Sequence, residues 1–121
     1  MSAAIPKVSY GAPIFYIKKG ATQPPIQYQT VDENQQLVPL TGATGVQFRY
    51  RLQSGLPSSI VTRTATIVNA GNGQVLYNWT AADTAQAGSY YCEWIVTFPD
   101  GVQTYPIRGY QQFVIDADLG G

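Results

Sequence analysis

A run of nine residues, Tyr90 to Phe98, most constrains the fold of this chain, because bulky and more polar side chains alternate along it. Successive side chains of an extended strand point to opposite faces, so one face of this run can fill a core. Pro99-Asp100-Gly101 follows it and predicts a tight reversal. The run therefore predicts an antiparallel β domain whose function lies in its surfaces. The side chains predicted on the buried face are Tyr90, Cys92, Trp94, Val96 and Phe98.

Turns rich in Gly, Pro and Asn separate further short segments, at roughly 8–12-residue spacing, which is typical of a β-sandwich. No segment shows a convincing helical period of apolar residues, so the chain is predicted to be all-β, with seven or eight strands. The predicted strands are 14–18, 26–31, 45–52, 60–68, 75–79, 90–98, 102–105 and 111–116, with 37–40 as an edge or a connection. Further residues predicted to fill the core are Phe48, Tyr50, Tyr77 and Trp79.

The chain carries few charges for its apolar content: 12% of its residues are charged and 45% are hydrophobic, and its formal net charge is zero. A soluble domain usually has about twice that charged fraction. With nine tyrosines, this composition is consistent with a surface covered by other proteins. A polar β surface rich in Gln and Thr would also need few charges, and composition does not separate the two interpretations.

Several classes of chemistry lack the residues they need. The chain has no histidine and one cysteine, which excludes the usual His-dependent nucleophiles and zinc sites. The Asp116-Ala-Asp118 pair is expected to be a solvated tail rather than a metal site. A net charge of zero and the absence of a long apolar run predict no nucleic-acid or membrane partner. We therefore expect no enzyme activity, no metal and no cofactor.

Two residues of the central run could carry chemistry but are interpreted structurally. Cys92 shares the apolar face with Trp94, and no basic residue adjoins it, so a small buried side chain is expected rather than a reactive thiol. As the only cysteine, it leaves no intramolecular disulfide possible. Glu93 is expected to pair with a surface arginine rather than to act as a general acid.

Ala87-Gly88-Ser89-Tyr90-Tyr91-Cys92 resembles the A-G-x-Y-x-C motif of immunoglobulin variable domains. In those domains the tyrosine two residues before the cysteine forms a corner that locks the start of its strand. The resemblance implies an immunoglobulin-like β-sandwich in which Tyr90 is a structural hydrogen-bond anchor.

A second resemblance covers the chain from about Ile14 to Ile115. The motifs that carry it are Leu40-Thr41-Gly42-Ala43 before an arginine-bearing strand, Gly73-x-Val75-x-Tyr77-x-Trp79, Asp83-Thr84-Ala85-x-x-Gly88-x-Tyr90, Glu93-Trp94, and Phe98-Pro99-Asp100-Gly101 with a later Pro106. In this order they are similar to immunoglobulin-like domains of tailed-bacteriophage virions, especially the N-terminal domain of baseplate upper proteins. The resemblance implies a virion structural protein, such as a capsid decoration, neck, tail or baseplate adaptor, assembled in the host bacterial cytoplasm.

The resemblance implies other virion proteins as partners and an oligomeric arrangement within the particle. Residues 1–13 are expected to form an extended arm, residues 14–117 the sandwich, and residues 118–121 a tail. Such an arm could lie along a neighbouring subunit and add a strand to its sheet edge, and the alternative is a disordered tail. The residues predicted for a protein interface are Arg49, Arg51, Tyr91, Tyr105, Ile107, Arg108 and Tyr110, since Arg and Tyr are favoured at interfaces. The alternative is a carbohydrate- or host-receptor-binding module with Trp79 and Trp94 as candidate sugar platforms.

Overall fold

The computed structural model describes residues 13–56 and 59–119. Within these ranges the chain forms eight β-strands and no α-helix, so the predicted all-β class is confirmed. The strands are β1 (Phe15–Lys18), β2 (Ile26–Gln29), β3 (Gly45–Leu52), β4 (Val61–Asn69), β5 (Gln74–Tyr77), β6 (Gly88–Phe98), β7 (Gly101–Tyr105) and β8 (Gln111–Asp116). The predicted arm lies outside the described residues except for Pro13, as do the last two residues of the predicted tail. The described residues include no helix long and apolar enough to cross a membrane.

The strands form one mixed sheet in the order β1-β8-β6-β3-β4-β5-β2, and β7 also pairs with β6. β1 runs parallel to β8 with Phe15 opposite Phe113, whereas the other described pairs are antiparallel. The pairing thus differs from the wholly antiparallel arrangement that the alternation predicts. Strands far apart in sequence are free of the hairpin geometry that makes neighbouring strands antiparallel. The sheet curls until it is nearly barrel-shaped, and Phe15 stacks on Trp79 with ring centroids 6.0 Å apart.

β4 joins the two halves of this curled sheet. Its first part, residues 61–65, pairs with β3, and its last part, residues 66–69, pairs with β5. The register shifts between Ile67 and Asn69. Such an irregularity bends a strand and increases its local twist, so β4 can pass from one half of the sheet to the other.

An aromatic core fills the interior, with Phe48 at its centre. The ring centroid of Phe48 lies 4.7 Å from that of Trp94 and 5.0 Å from that of Tyr77. Phe113, which was not among the predicted core residues, is fully buried and stacks on Tyr90 at 4.7 Å with an interplanar angle of 2°. Of the predicted core residues, those buried are Phe48, Tyr50, Tyr77, Trp79, Tyr90, Cys92, Trp94 and Val96, while Phe98 is only partly buried.

All eight predicted strands are present, and none of their bounds differs from the predicted one by more than two residues. The strands predicted at 45–52 and 111–116 have those bounds in the structure, because both alternate strictly and are closed by turn residues. β2 ends at Gln29 rather than residue 31, since the amide of Thr30 donates to Gly73 and its hydroxyl to Val38. The segment predicted at 37–40 makes only an isolated bridge, between Val31 and Leu37.

Candidate interaction surface

The outer face of the sheet is built by β3 and β6, the two strands with the clearest alternation. Their register places Arg49 opposite Glu93 and Arg51 opposite Tyr91. These side chains point away from the core because their neighbours in sequence, such as Phe48, point into it. The outer face therefore presents two arginines, a tyrosine and a carboxylate on rigid, centrally placed strands.

A loop extruded between β7 and β8 adds to this face. Trp94 on β6 lies opposite Tyr105 on β7, and Cys92 lies opposite Gln111 on β8. Six positions separate Tyr105 from Gln111, whereas their partners are two positions apart, so four residues are in excess. We call residues 106–110 the extruded loop. Both β7 and β8 pair with β6. The segment between them has more residues than the stretch of β6 that it spans, so the extra residues protrude as a loop.

The extruded loop brings Tyr110 onto the sheet. The ring centroids of Tyr110 and Tyr91 are 4.8 Å apart, and the guanidinium carbon of Arg51 lies 5.5 Å from the Tyr91 ring centroid. Cation–π and aromatic contacts of this kind stabilise a fixed arrangement. We call Arg51, Tyr91 and Tyr110 the tyrosine–arginine patch. Nη1 of Arg51 also donates to the carbonyl oxygens of Leu52, Gln53 and Gly55, at 3.1, 3.4 and 3.3 Å.

The charge of Arg49 is neutralised within the chain. Its guanidinium forms an ion pair with Glu93, and Nε donates to Oε1 at 3.1 Å. This confirms the prediction that Glu93 pairs with a surface arginine. The side chains of Arg49 and Glu93 are 37% and 20% exposed, so water screens the pair, and such pairs contribute about 0–1 kcal/mol.

A shallow depression of about 200 Å³ lies over the tyrosine–arginine patch, and Ile60 and the Arg49–Glu93 pair form its margins. Tyr110 and Ile60 remain 47% and 43% exposed, so both present apolar surface to solvent. Among the side chains that line the depression, the thiol of Cys92 is buried and none is a histidine. The carboxylate of Glu93 is already paired with Arg49. Its groups are suited to packing, cation–π contact and phenolic hydrogen bonding.

The structure brings together four of the seven residues predicted for the interface: Arg49, Arg51, Tyr91 and Tyr110. Tyr105 is a correction, because it is 2% exposed and belongs to the core. Its position opposite Trp94 puts it on the inner face of β7. Ile107 and Arg108 lie on the extruded loop and are exposed, but they do not line the depression over the patch.

A second polar cluster, centred on Asp83, was not anticipated from the sequence. Oδ1 of Asp83 accepts hydrogen bonds from the hydroxyl of Tyr50 at 2.7 Å and from Nε of Arg63 at 3.0 Å. Oδ2 accepts from the hydroxyl of Tyr77 at 2.6 Å and from the amide and hydroxyl of Thr80 at 2.8 and 3.0 Å. These donors come from both halves of the sheet, so the carboxylate ties them together. The available sequence signal was a single acid in the turn after β5, flanked by Thr80 and Thr84.

The Asp83 cluster perturbs each of its titratable members. Burial by itself would raise the pKa of the Asp83 carboxyl, but the hydrogen bonds from Tyr77, Thr80, Tyr50 and Arg63 outweigh it and lower the pKa. Burial, followed by donation to Asp83, raises the pKa of the phenols of Tyr50 and Tyr77. With its acceptor sites occupied, the carboxylate is built for structure rather than for proton transfer.

Both tryptophans, the candidate sugar platforms, lie inside the fold. Trp94 is fully buried and donates from Nε1 to Oε1 of Gln111 at 2.7 Å. Trp79 is 4% exposed, and its indole NH has no hydrogen-bond partner among the described residues. A sugar cannot stack on an aromatic ring that neighbouring side chains already cover. The carbohydrate alternative therefore loses the two residues on which it rested.

Cys92 is buried among core residues, as its place in the alternation predicts. Burial, with a smaller contribution from the charge of Glu93, raises the pKa of its thiol well above the usual value. Because the thiolate is the reactive form, this thiol is inert in the folded protein.

Across residues 13–56 and 59–119, no three or more Cys, Asp or Glu side chains lie close enough to hold a metal ion. The chain matches no model of a known protein family, and no curated protein is significantly similar to it in sequence.

Proposed function

We propose that this protein is a non-enzymatic structural module that binds other proteins through the outer face of its sheet. The tyrosine–arginine patch carries the proposal, because it places Arg51 and Tyr91 on rigid strands beside an exposed Tyr110 on the extruded loop. Tyr and Arg are enriched among the residues that dominate interface energetics. A shallow depression over such a patch suits the insertion of one side chain of a partner.

Preorganisation supports this role. Binding usually costs side-chain entropy, about 0.5–1.5 kcal/mol for each mobile side chain that becomes fixed. Arg51 is already held by three backbone carbonyls and the Tyr91 ring. Its side chain would therefore lose little conformational freedom when a partner binds. The patch can therefore contribute its contact energy with a small entropic cost.

The pairing of charges on the outer face also supports the proposed protein-binding role. Burying an unpaired charge beneath a partner is costly, whereas a charge that keeps its counterion loses less. Arg49 and Glu93 are paired within this chain and remain so when covered. The outer face can thus be desolvated without leaving either charge alone.

We infer that the finer fold is an immunoglobulin-like sandwich whose two halves are linked by β4. The hydroxyl of Tyr90 donates to the backbone carbonyl of Gln86 at 2.7 Å, four residues upstream. This is the contact expected of a tyrosine corner with Tyr90 as its structural anchor, and it supports the inference. The corner fixes the start of β6 and with it the position of Tyr91.

We further propose that the module belongs to a bacteriophage virion, as a capsid decoration, neck, tail or baseplate adaptor among other virion proteins. The order of sequence motifs from Leu40 to Pro106 supports this assignment. A stiff sheet that offers one preorganised face suits a component that holds neighbours at a fixed geometry.

Particle incorporation tests the proposal. Purified particles of a phage that encodes the chain are expected to contain it, as measured by mass spectrometry. Tyr110→Asp should reduce its occupancy at least tenfold, because it places a charge in the contact, while circular dichroism stays unchanged. Val68→Asp is the matched control, since Val68 is 56% exposed and lies on β4 beyond the patch. Absence of the chain from particles, or equal occupancy of both variants, would refute the proposal.

A further inference from the structure

β7 has one edge that no described strand covers, and a groove lies beside that edge. Among the described strands, β7 pairs only with β6, so its other edge carries backbone groups without a strand partner. A groove of about 420 Å³ runs along this edge, between β7 and the 31–38 connection. Gln103 and Tyr105 line it from β7, and Asp32 and Val38 line it from the connection. Exposed edges of this kind promote unwanted pairing unless something covers them.

The direction of β1 shows what can reach that edge. β1 is parallel to β8, with Phe15 opposite Phe113, and β7 and β8 run in the same direction along β6. The chain before Phe15 therefore leaves β1 on the side where β7 lies. Twelve residues precede Pro13, and an extended segment of that length reaches roughly 40 Å. The five residues of β7 span only about 17 Å.

Register and charge agree with this direction. Phe15 lies at the level of Tyr90 on β6, and Gln103 lies at the level of Val96, six positions along. An extended continuation of β1 in the same register would bring Ser9, six positions before Phe15, to the level of Gln103. The same continuation would bring Lys7 to the level of Gly101, beside Asp100. Lys7 is the only charged residue among the first twelve, and Asp32 and Asp100 both line the groove.

We propose that residues 1–12 of the same chain dock along the free edge of β7 and cover the groove. Attachment to β1 favours this occupant over a second copy, because tethering supplies an effective concentration of about millimolar. Covering the edge in this way removes a site for indiscriminate strand pairing. The inference does not depend on the proposed function, since none of the three residues of the tyrosine–arginine patch lines the groove.

A disulfide trap in the full chain tests both the docking and its occupant. Ser9→Cys with Gln103→Cys is expected to oxidise to an internal disulfide in a monomer, seen by non-reducing electrophoresis and intact mass. The buried Cys92 does not compete. Ser9→Cys with Thr64→Cys is the control, since Thr64 is exposed on β4. A disulfide-linked dimer would overturn the own-chain proposal in favour of a second copy. Equal reaction of both pairs would overturn docking altogether.

Hydrogen exchange of full-length single variants gives a test that tolerates a shift in register. Lys7→Glu is expected to accelerate amide exchange in peptides covering β7 at least threefold, because repulsion from Asp32 and Asp100 weakens docking. Lys18→Glu is the matched control, as Lys18 is exposed on β1 away from the groove. Unchanged exchange at β7 in Lys7→Glu, or the same acceleration in both variants, would contradict the proposal.

Discussion

The hydroxyl of Tyr77 donates a 2.6 Å hydrogen bond to the buried carboxylate of Asp83, six residues further along the chain. The same carboxylate accepts from Tyr50 on β3, a strand that does not pair with β5. One acid thus connects two strands that the sheet hydrogen bonds do not join directly. It is also the only buried acid among the described residues.

Replacing Asp83 should therefore be costly. Asp83→Ala leaves two phenolic hydroxyls and Thr80 without their acceptor, and loss of one partner from a buried charged network costs about 3–5 kcal/mol. Urea denaturation should show this decrease in the free energy of unfolding. Asp116→Ala, at an exposed acid, should change it by less than about 0.5 kcal/mol. Equal stability of the two variants would mean that the cluster contributes little.

The same carboxylate should make stability depend on acid pH. Its pKa in the folded protein lies below the ordinary value of 3.8, so the unfolded chain binds the proton more tightly. The contribution is complete well above pH 3.8 and is lost as pH falls through that value towards the lower folded pKa. Between pH 6 and about 2.5, the original chain should lose more unfolding free energy than Asp83→Asn. Parallel pH profiles for the two proteins would contradict this assignment.

Gln111 should stabilise the fold through its side-chain oxygen, which accepts a hydrogen bond from Trp94, rather than through the volume that it fills. Gln111→Met keeps the approximate size but leaves Nε1 of Trp94 without a partner, which costs about 1–3 kcal/mol in unfolding free energy. In a Trp94→Phe background, which lacks the indole donor, the same change should cost clearly less. Gln47→Met, on the exposed face of β3, is the control. Additivity of the Gln111 and Trp94 changes would exclude a coupling between them.

The thiol of Cys92 should react only when the protein unfolds. Burial and the raised pKa suppress the thiolate, so a disulfide reagent at pH 8 should modify the native chain at least a hundredfold more slowly than the urea-unfolded chain. Thr64→Cys supplies an exposed reference thiol in the same molecule. Comparable rates at both thiols in the native chain would show that Cys92 is accessible.

Tryptophan emission should report the burial of both indoles. Trp79 and Trp94 are 4% and 0% exposed, so native emission should be blue-shifted and resist quenching by iodide. Unfolding in urea should shift the emission to the red and restore quenching. Strong native quenching, or a change in emission on adding an oligosaccharide, would revive the carbohydrate alternative.

Local alternation was enough to predict much of this fold. A strand buried on one face must repeat apolar side chains at every second position, so β3, β6 and β8 can be read directly from the sequence. The same rule predicts the aromatic core and the pairing of Glu93 with an arginine, because outward residues of adjacent strands face one another. It could also have identified Phe113, which continues the alternation of Gln111 and Ile115.

The sequence by itself determined the all-β class, the strand bounds to within two residues and the outward positions of Arg49, Arg51 and Tyr91, because these depend on spacing within one strand. Tertiary structure decided the parallel pairing of β1 with β8, the burial of Tyr105 and the placement of Tyr110 on Tyr91. It also decided the role of Asp83, whose donors lie on three separate parts of the chain. These features depend on which strands, distant in sequence, pair with each other. Loop closure and core packing together decide that pairing, and no local sequence pattern does.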